Sequence, residues 1–363
     1  MLLRLLVLFA LVINVAASVR LTLPPTIYAV PGVEMSVYFA NTILIESNKA
    51  ADYRFRCECP IGTADASRWT LNAKDKQSGA YPFKLTVLDQ HGKAVQAATN
   101  QLHVSRKNTG KGESIRLLIM GDSLTHATQY PNEIARLLSG PGNPRWQMLG
   151  THKPTRAKNG VVHEGYGGWS WVRFRTKFEP TRPFPGKTNS SPFVFPDKDN
   201  PQNGKTDVAR YFATHCGGSK PDFMVIMLGI NDCFSAKPDS PKSIDVKVDW
   251  MFREADLLLA DIRKAAPNAQ IGICLTTPGN SRDAAFVANY RQRYTRWGWR
   301  RIQHRLVERQ IEHFHGKKNI HLIPTNLNLD TTTGYPANNG VHPNTEGYNQ
   351  IGATIYSWIK SRL

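Results

Sequence analysis

Acidic residues are scarce in this chain of 363 residues: 28 Asp and Glu stand against 46 Lys and Arg, leaving a net charge of +18. A field of that sign favours anionic surroundings such as acidic polysaccharide or cell-surface polymer. No nucleic-acid-binding motif appears, so nucleic acid is not an expected partner. Cysteine is sparse as well, and the five present (Cys57, Cys59, Cys216, Cys233 and Cys274) are odd in number. An odd count in an exported chain leaves at least one thiol free or paired between chains. Cys57 and Cys59 alternate on an expected strand and would bond only with unusual geometry, so Cys216 with Cys233 is the better candidate bridge. None of the spacings resembles a zinc ribbon or finger, so no structural metal is expected. Long hydrophobic runs are missing beyond the first 18 residues, which argues against stable membrane insertion. No internal repeat is present.

What the chain does have begins with "MLLRLLVLFALVINVAAS": one early charge at Arg4, an apolar run from Leu5, and small residues Ala16, Ala17 and Ser18. That layout predicts a signal peptide over residues 1–18 and a secreted or periplasmic location. Residues 19–105 carry short β-branched and aromatic stretches, "TIYAV", "SVYFANTILI", "YRFRC" and "FKLTVLD", between turn-forming segments. They predict a small β-sandwich. Residues 106–114 lack apolar periodicity and read as a linker.

From residue 115 the pattern changes. Continuous apolar runs at Ile115 to Gly121, Phe223 to Gly229 and Ala269 to Thr277, with a weaker one at Asn319 to Thr325, alternate with helical stretches such as Trp250 to Ala266 and Gly347 to Lys360. Fully apolar strands separated by helices predict an α/β domain with a parallel sheet covered on both faces. Ligands bind such sheets at the carboxyl ends of the strands. Residues 173–221, rich in proline, glycine and asparagine, form an insertion expected to be functional or mobile rather than core.

Several residues fall at that carboxyl edge. Ser123, in "IMGDSLTH", follows the first strand, where it could expose its hydroxyl or merely cap the helix that follows. Asn231 and Asp232 follow the next, in "MLGINDCF"; an asparagine there can donate its amide to an oxyanion or simply form a turn. Gly167 and Gly168 in "HEGYGGWSW" permit close backbone approach, although a glycine pair alone usually marks a turn. His342, in "NNGVHPNTEGY", precedes the last helix. A lone histidine is an ordinary surface residue more often than a base. Its weight comes from occurring in order with the serine, glycine and asparagine on one rim.

Together these residues resemble the SGNH, or GDSL-type, hydrolase family. "GDSL" at Gly121 to Leu124 matches the nucleophile block, Gly168 the glycine block, "GIND" at Gly229 to Asp232 the asparagine block, and "VHPNTEGY" at Val341 to Tyr348 the histidine block. The resemblance spans residues 115–363. It implies a three-layer α/β/α, flavodoxin-like fold and cofactor-free ester hydrolysis, with Ser123 as nucleophile and His342 as base. The N–H groups of Ser123 and Gly168 and the amide of Asn231 would form the oxyanion hole, where loss of one donor costs about 100- to 1000-fold in turnover. One position departs from the family. The aspartate that normally precedes the histidine by three residues is Asn339 here. Asn339 itself, a backbone carbonyl, or another acid, with Asp330 and Glu346 nearest in sequence, would then orient His342.

An exported esterase with an added β domain resembles carbohydrate O-acetylesterases. Asp122, Trp169 and Asp232 are candidate substrate-binding residues, and Trp169, Trp171 and Phe174 are either a sugar platform or core. The arginine-dense stretch from Arg291 to Gln310 would attract uronate or sulfate groups, or else forms a solvated helix face. A lipid or aryl esterase on the same fold, and a non-catalytic carbohydrate-binding protein, are the alternatives. The β domain could bind carbohydrate, serve as a spacer, or wall the active-site cleft.

Overall fold

The structure is a computed structural model that describes residues 19–44, 53–181, 183–184, 187–291 and 293–363. The expected signal peptide lies outside the described residues. Strands Arg20–Leu21 (β1), Thr26–Ala29 (β2), Glu34–Tyr38 (β3), Ile43–Leu44 (β4), Arg54–Glu58 (β5), Thr63–Ala64 (β6), Arg68–Asn72 (β7), Gly79–Leu88 (β8) and Ala94–Val104 (β9) build the N-terminal domain. One sheet has the order β2-β9-β8-β5 and the other β3-β7-β6. The pairing is antiparallel except between β2 and β9. Alternation along each strand turns Ile27, Met35, Val37, Trp69, Leu71, Phe83, Leu85 and Leu102 into one shared core. Trp69 and Phe83 meet edge to face across it at 5.2 Å.

The second domain begins with Ser114–Gly121 (β10), Ser123–His126 (α1), Gln129–Leu138 (α2), Arg145–Leu149 (β11), Glu164–Gly165 (β12) and Trp171–Thr176 (α3). The insertion holds the short pairs Pro183–Phe184 (β13) with Lys187–Thr188 (β14) and Val194–Pro196 (β15) with Gly204–Thr206 (β16), then Val208–His215 (α4). Next come Phe223–Met227 (β17), Ile230–Cys233 (α5), Pro241–Ala265 (α6), Gln270–Cys274 (β18), Asp283–Tyr290 (α7), Arg296–Phe314 (α8), Ile320–Ile323 (β19) and Thr345–Lys360 (α9). The sheet runs β11-β10-β17-β18-β19, all parallel, with β12 continuing the β11 side along the end of β10. Helices α2 and α9 bury Tyr130, Ile134, Ile351, Ile355 and Trp358 on one face. Helices α6 and α8 bury Val248, Met251, Leu258, Ile302 and Leu306 on the other. This is the expected three-layer α/β/α arrangement.

The four expected strands form, and β11 joins them. Its sequence, RWQML, is polar at alternate positions because it lies at the sheet edge. The described part of the insertion departs from the expectation of a segment outside the core. Phe174, Phe193, Val208 and Tyr211 are buried in the main core. The buried carboxylate of Glu164 ties this region to the sheet, accepting bonds from Thr151 N at 2.7 Å, Tyr211 Oη at 2.8 Å and Tyr166 Oη.

One further expectation is corrected. All five cysteines are free thiols. Cys216 sits past the end of α4 beside Tyr211, and Cys233 is sealed within α5, so the proposed bridge does not form. The linker is tied to the last helix and to the loop before β11. Buried Lys360 donates to the carbonyls of Thr109 and, at 2.9 Å, Gly142.

The two domains share an interface. Leu327, in the loop after β19, is wholly buried in the β domain's core. Tyr38 N donates to Leu327 O at 3.1 Å, Ser36 N to Asn328 Oδ1 at 2.9 Å and Asn41 Nδ2 to Leu329 O at 2.8 Å. From α8, Arg300 donates to the carbonyls of Ala40 at 2.6 Å and Ile43 at 2.9 Å. The β domain therefore packs directly against the segment that leads to the histidine loop.

Candidate active site

Strand β10 delivers the serine. At its end a Cβ on Gly121 would lie 2.0 Å from Thr125 Oγ1 and 2.9 Å from Met227 O, so only glycine lets the chain turn this tightly into α1. Asp122, not Ser123, caps the helix, accepting Leu124 N on Oδ1 at 2.9 Å. That resolves the two readings of Ser123. As the first residue of α1 it keeps its hydroxyl for the cavity, and its N–H has no partner within the helix.

His342 meets it from the loop before α9. His342 Nε2 and Ser123 Oγ are 2.9 Å apart. On the other side of the ring, Nδ1 lies 3.3 Å from Asn339 Oδ1. The same Oδ1 accepts the backbone N–H of Val341 at 3.1 Å and of His342 at 2.9 Å. Two backbone donors can only face an oxygen, so the amide is locked with its acceptor toward the imidazole. Nδ1 then carries the proton and Nε2 is the acceptor for the serine hydroxyl. Burial holds the His342 pKa below the ordinary imidazole value.

The other acids near His342 in sequence are turned elsewhere. Asp330 accepts Thr332 N at 2.7 Å and Thr333 N at 3.1 Å, and exposed Glu346 accepts Thr333 Oγ1 at 3.3 Å. A local turn captures the Asp330 carboxylate on its own loop, and Glu346 reaches from the first turn of α9 to Thr333 instead of to His342.

Gly168 is exposed at the cavity rim with φ at +71°, a conformation that favours glycine. Asn231, at the start of α5, donates its Nδ2 to Trp169 O at 3.0 Å and to Asp122 Oδ2 at 3.3 Å. Its amide is thus aimed by the nucleophile block on one side and by the glycine loop on the other. Asp232 turns away and accepts Trp171 N at 3.1 Å and Val172 N at 3.5 Å at the start of α3. Burial pushes both Asp122 and Asp232 up to about 7. Asp122 lines the cavity beside Ser123 even so, whereas Asp232 is buried away from it, which corrects the expectation for Asp232. Trp169, Trp171 and Phe174 are likewise core residues and offer no sugar platform.

Ser123, Gly168, Asn231 and His342 line one cavity of about 320 Å³, near the small end for ligand sites. Its wall is aromatic, with Phe234, Tyr290 and Trp299, and its floor includes Cys274, Thr276 and Thr277. Sequence reasoning missed these wall residues because Tyr290 and Trp299 come from α7 and α8, far along the chain, without a motif. The arginines of α8 are also reassigned. Arg301 pairs with Asp239, Arg305 with Asp245 and Glu308, and Arg309 with Asp245 and Asp249. They fasten α8 to α6 and the segment before it, and their charge is matched locally.

The sequence matches the profile of the GDSL-like Lipase/Acylhydrolase family over residues 119–350. The chain belongs to that family. As an SGNH-type acylhydrolase it keeps the nucleophile, glycine, asparagine and histidine blocks on a single cavity, with Asn339 three residues before the histidine. No curated protein sequence matches it. Similar solved structures include a family 3 carbohydrate esterase from Clostridium thermocellum, at 16% identity over 67% of this chain and 94% of that one, with a TM-score of 0.40. A carbohydrate acetylesterase from Sinorhizobium meliloti, Est24, aligns at 14% identity over 69% and 100%, with a TM-score of 0.39. A family two carbohydrate esterase from Clostridium thermocellum, in complex with cellohexaose, aligns at 15% identity over 92% and 90%, with a TM-score of 0.36.

Proposed function

We propose that this acylhydrolase is an exported serine esterase that removes short acyl groups, acetyl foremost, from carbohydrate. The observation that carries the reading is the 2.9 Å approach of His342 Nε2 to Ser123 Oγ within a small, aromatic-walled cavity. In the reaction, Ser123 Oγ attacks the acyl carbon as Nε2 takes its proton. The tetrahedral oxyanion is met by the N–H groups of Ser123 and Gly168 and by the Asn231 amide, which gives up its long 3.3 Å bond to Asp122 to do so. The imidazolium then protonates the departing alcohol, and water, deprotonated by His342, releases the acid.

One feature favours a sugar alcohol over a lipid: aromatic side chains at Phe234, Tyr290 and Trp299 suit the C–H faces of a pyranose. The modest cavity favours a short acyl group. The pairing of Arg301, Arg305 and Arg309 with acids lessens the reason to expect a uronate or sulfate requirement.

Purified protein should hydrolyse an aryl acetate faster than the matching long-chain ester, and Ser123→Ala should abolish turnover. Acetate release across acetylated xylan, pectin, alginate-type polymers and sialic acids then identifies the sugar. A folded wild type without turnover on any ester would remove the enzyme reading; preference for long acyl chains would replace it with a lipid esterase.

A further inference from the structure

The missing aspartate shifts the burden of orienting His342 onto whatever fixes Asn339. Asn339 Oδ1 lies 3.3 Å from Nδ1, a long contact from a neutral acceptor, so its worth depends on the loop holding position. Asn280, in the loop between β18 and α7, is almost wholly buried against that segment. Its Nδ2 donates to Asn339 O at 3.0 Å and to Pro336 O at 2.9 Å. Its backbone N–H donates to Gly340 O at 2.8 Å. Its Oδ1 accepts Arg282 N at 3.0 Å, which fixes the amide's orientation. One residue thus fastens three carbonyls of the five-residue stretch before Val341. Beside it, Tyr335 Oη donates to Pro278 O and Ser281 N donates to Thr331 O at 2.8 Å, so the two loops are laced together along their length.

We propose that Asn280 is a positioning residue for the base: it clamps the Asn339 backbone so that a neutral amide can hold His342 in the tautomer with Nδ1 protonated. The proposal rests on the Ser123–His342 reading of the site. Asn280 touches neither the serine nor the cavity that holds it. It acts through Asn339, and this dependence makes it testable.

The test is a cycle of Asn280→Asp, Asn339→Ala and the double variant in the full-length protein. Asn280→Asp keeps the shape and the acceptor for Arg282 N while setting an oxygen against two carbonyls. Aryl acetate turnover by Asn280→Asp should fall about tenfold in kcat with KM within about twofold, since a shifted base loses alignment and not binding. The double variant should be no slower than the slower single variant, because both changes break one linkage. Multiplying effects would overturn the proposal and leave Asn280 a general structural residue. The second readout needs no turnover. Nitrogen-15 resonances of the His342 ring should show protonated Nδ1 in the wild type and a mixture of tautomers in Asn280→Asp. An unchanged tautomer would overturn the proposal even if the wild type proved inactive, an outcome that would count separately against the esterase reading. If Asn280→Asp fails to fold, Asn280→Ser, which retains one hydroxyl donor, carries the same readouts with an intermediate effect expected; wild-type kcat and tautomer in that variant would likewise overturn the proposal.

Discussion

A single oxygen, Asn339 Oδ1, serves His342 twice: it accepts the residue's backbone N–H at 2.9 Å and faces its ring Nδ1 at 3.3 Å. The first bond makes the second possible, because it decides which end of the amide looks at the ring. Orientation survives the loss of the aspartate, but the charge that would stabilise the imidazolium does not.

Restoring that charge should be visible in the pH profile. The base must be neutral to act, and burial holds its pKa below the ordinary value, so the acidic limb of wild-type kcat/KM should have its midpoint below that of an ordinary imidazole. Asn339→Asp should raise the imidazole pKa, move the acidic limb to higher pH, and increase kcat at pH 8 by about tenfold. Asn339→Ala should lower kcat. If neither variant changes the rate or the profile, the Asn339 side chain is not the partner of His342.

Gly168→Ala isolates the oxyanion loop. A Cβ there has room, its nearest contact being Arg173 Nη1 at 3.8 Å, so only the φ of +71° resists it, at about 1 kcal/mol. Thermal stability should change little, while kcat should drop about 10- to 100-fold as the loop's N–H shifts. Equal losses in kcat and unfolding midpoint would point to a packing role.

The buried acids make a prediction with a definite sign. Asp122 and Asp232 have folded pKa values raised to about 7 against the ordinary aspartate value of 3.8, so between those values the folded state binds more protons than the unfolded chain. Their contribution is fully present below about pH 4 and is lost as pH rises through about 7. In urea unfolding, Asp122→Asn and Asp232→Asn should each gain on the wild type between pH 5 and pH 8. A difference that stays constant with pH would show that the carboxyl groups titrate normally.

Leu327→Ala tests the domain interface. The side chain is wholly buried in the β domain's core although it follows a strand of the catalytic sheet. Its truncation should destabilise the protein by about 2–5 kcal/mol in chemical unfolding. It should also lower kcat, because the loop it anchors runs on to His342. Full stability would mean that the core closes around the gap.

Much of this was readable from residue order. The apolar runs around Leu117, Val225 and Ile273 are strands because both faces of a parallel sheet are covered, and that leaves an unbroken signature. Ser123, Gly168, Asn231 and His342 were legible because each stands in a short local motif. Trp169 and the α8 arginines stayed open between two readings because composition does not reveal partners: the indole is buried in the core, and Arg305 finds Asp245 sixty residues away. Tyr290 and Trp299 carry no local signal for lining the cavity.

The sequence by itself determined four of the sheet's strands, the family and the four motif residues that line one cavity, since periodicity and short motifs are local properties. Only the tertiary structure decided how the base is held. Which end of Asn339 faces His342 depends on backbone donors brought round by a turn, and the position of that turn depends on Asn280, fifty-nine residues earlier. Hydrogen bonds between distant loops leave no pattern in the order of residues, so their existence is settled only when the chain folds.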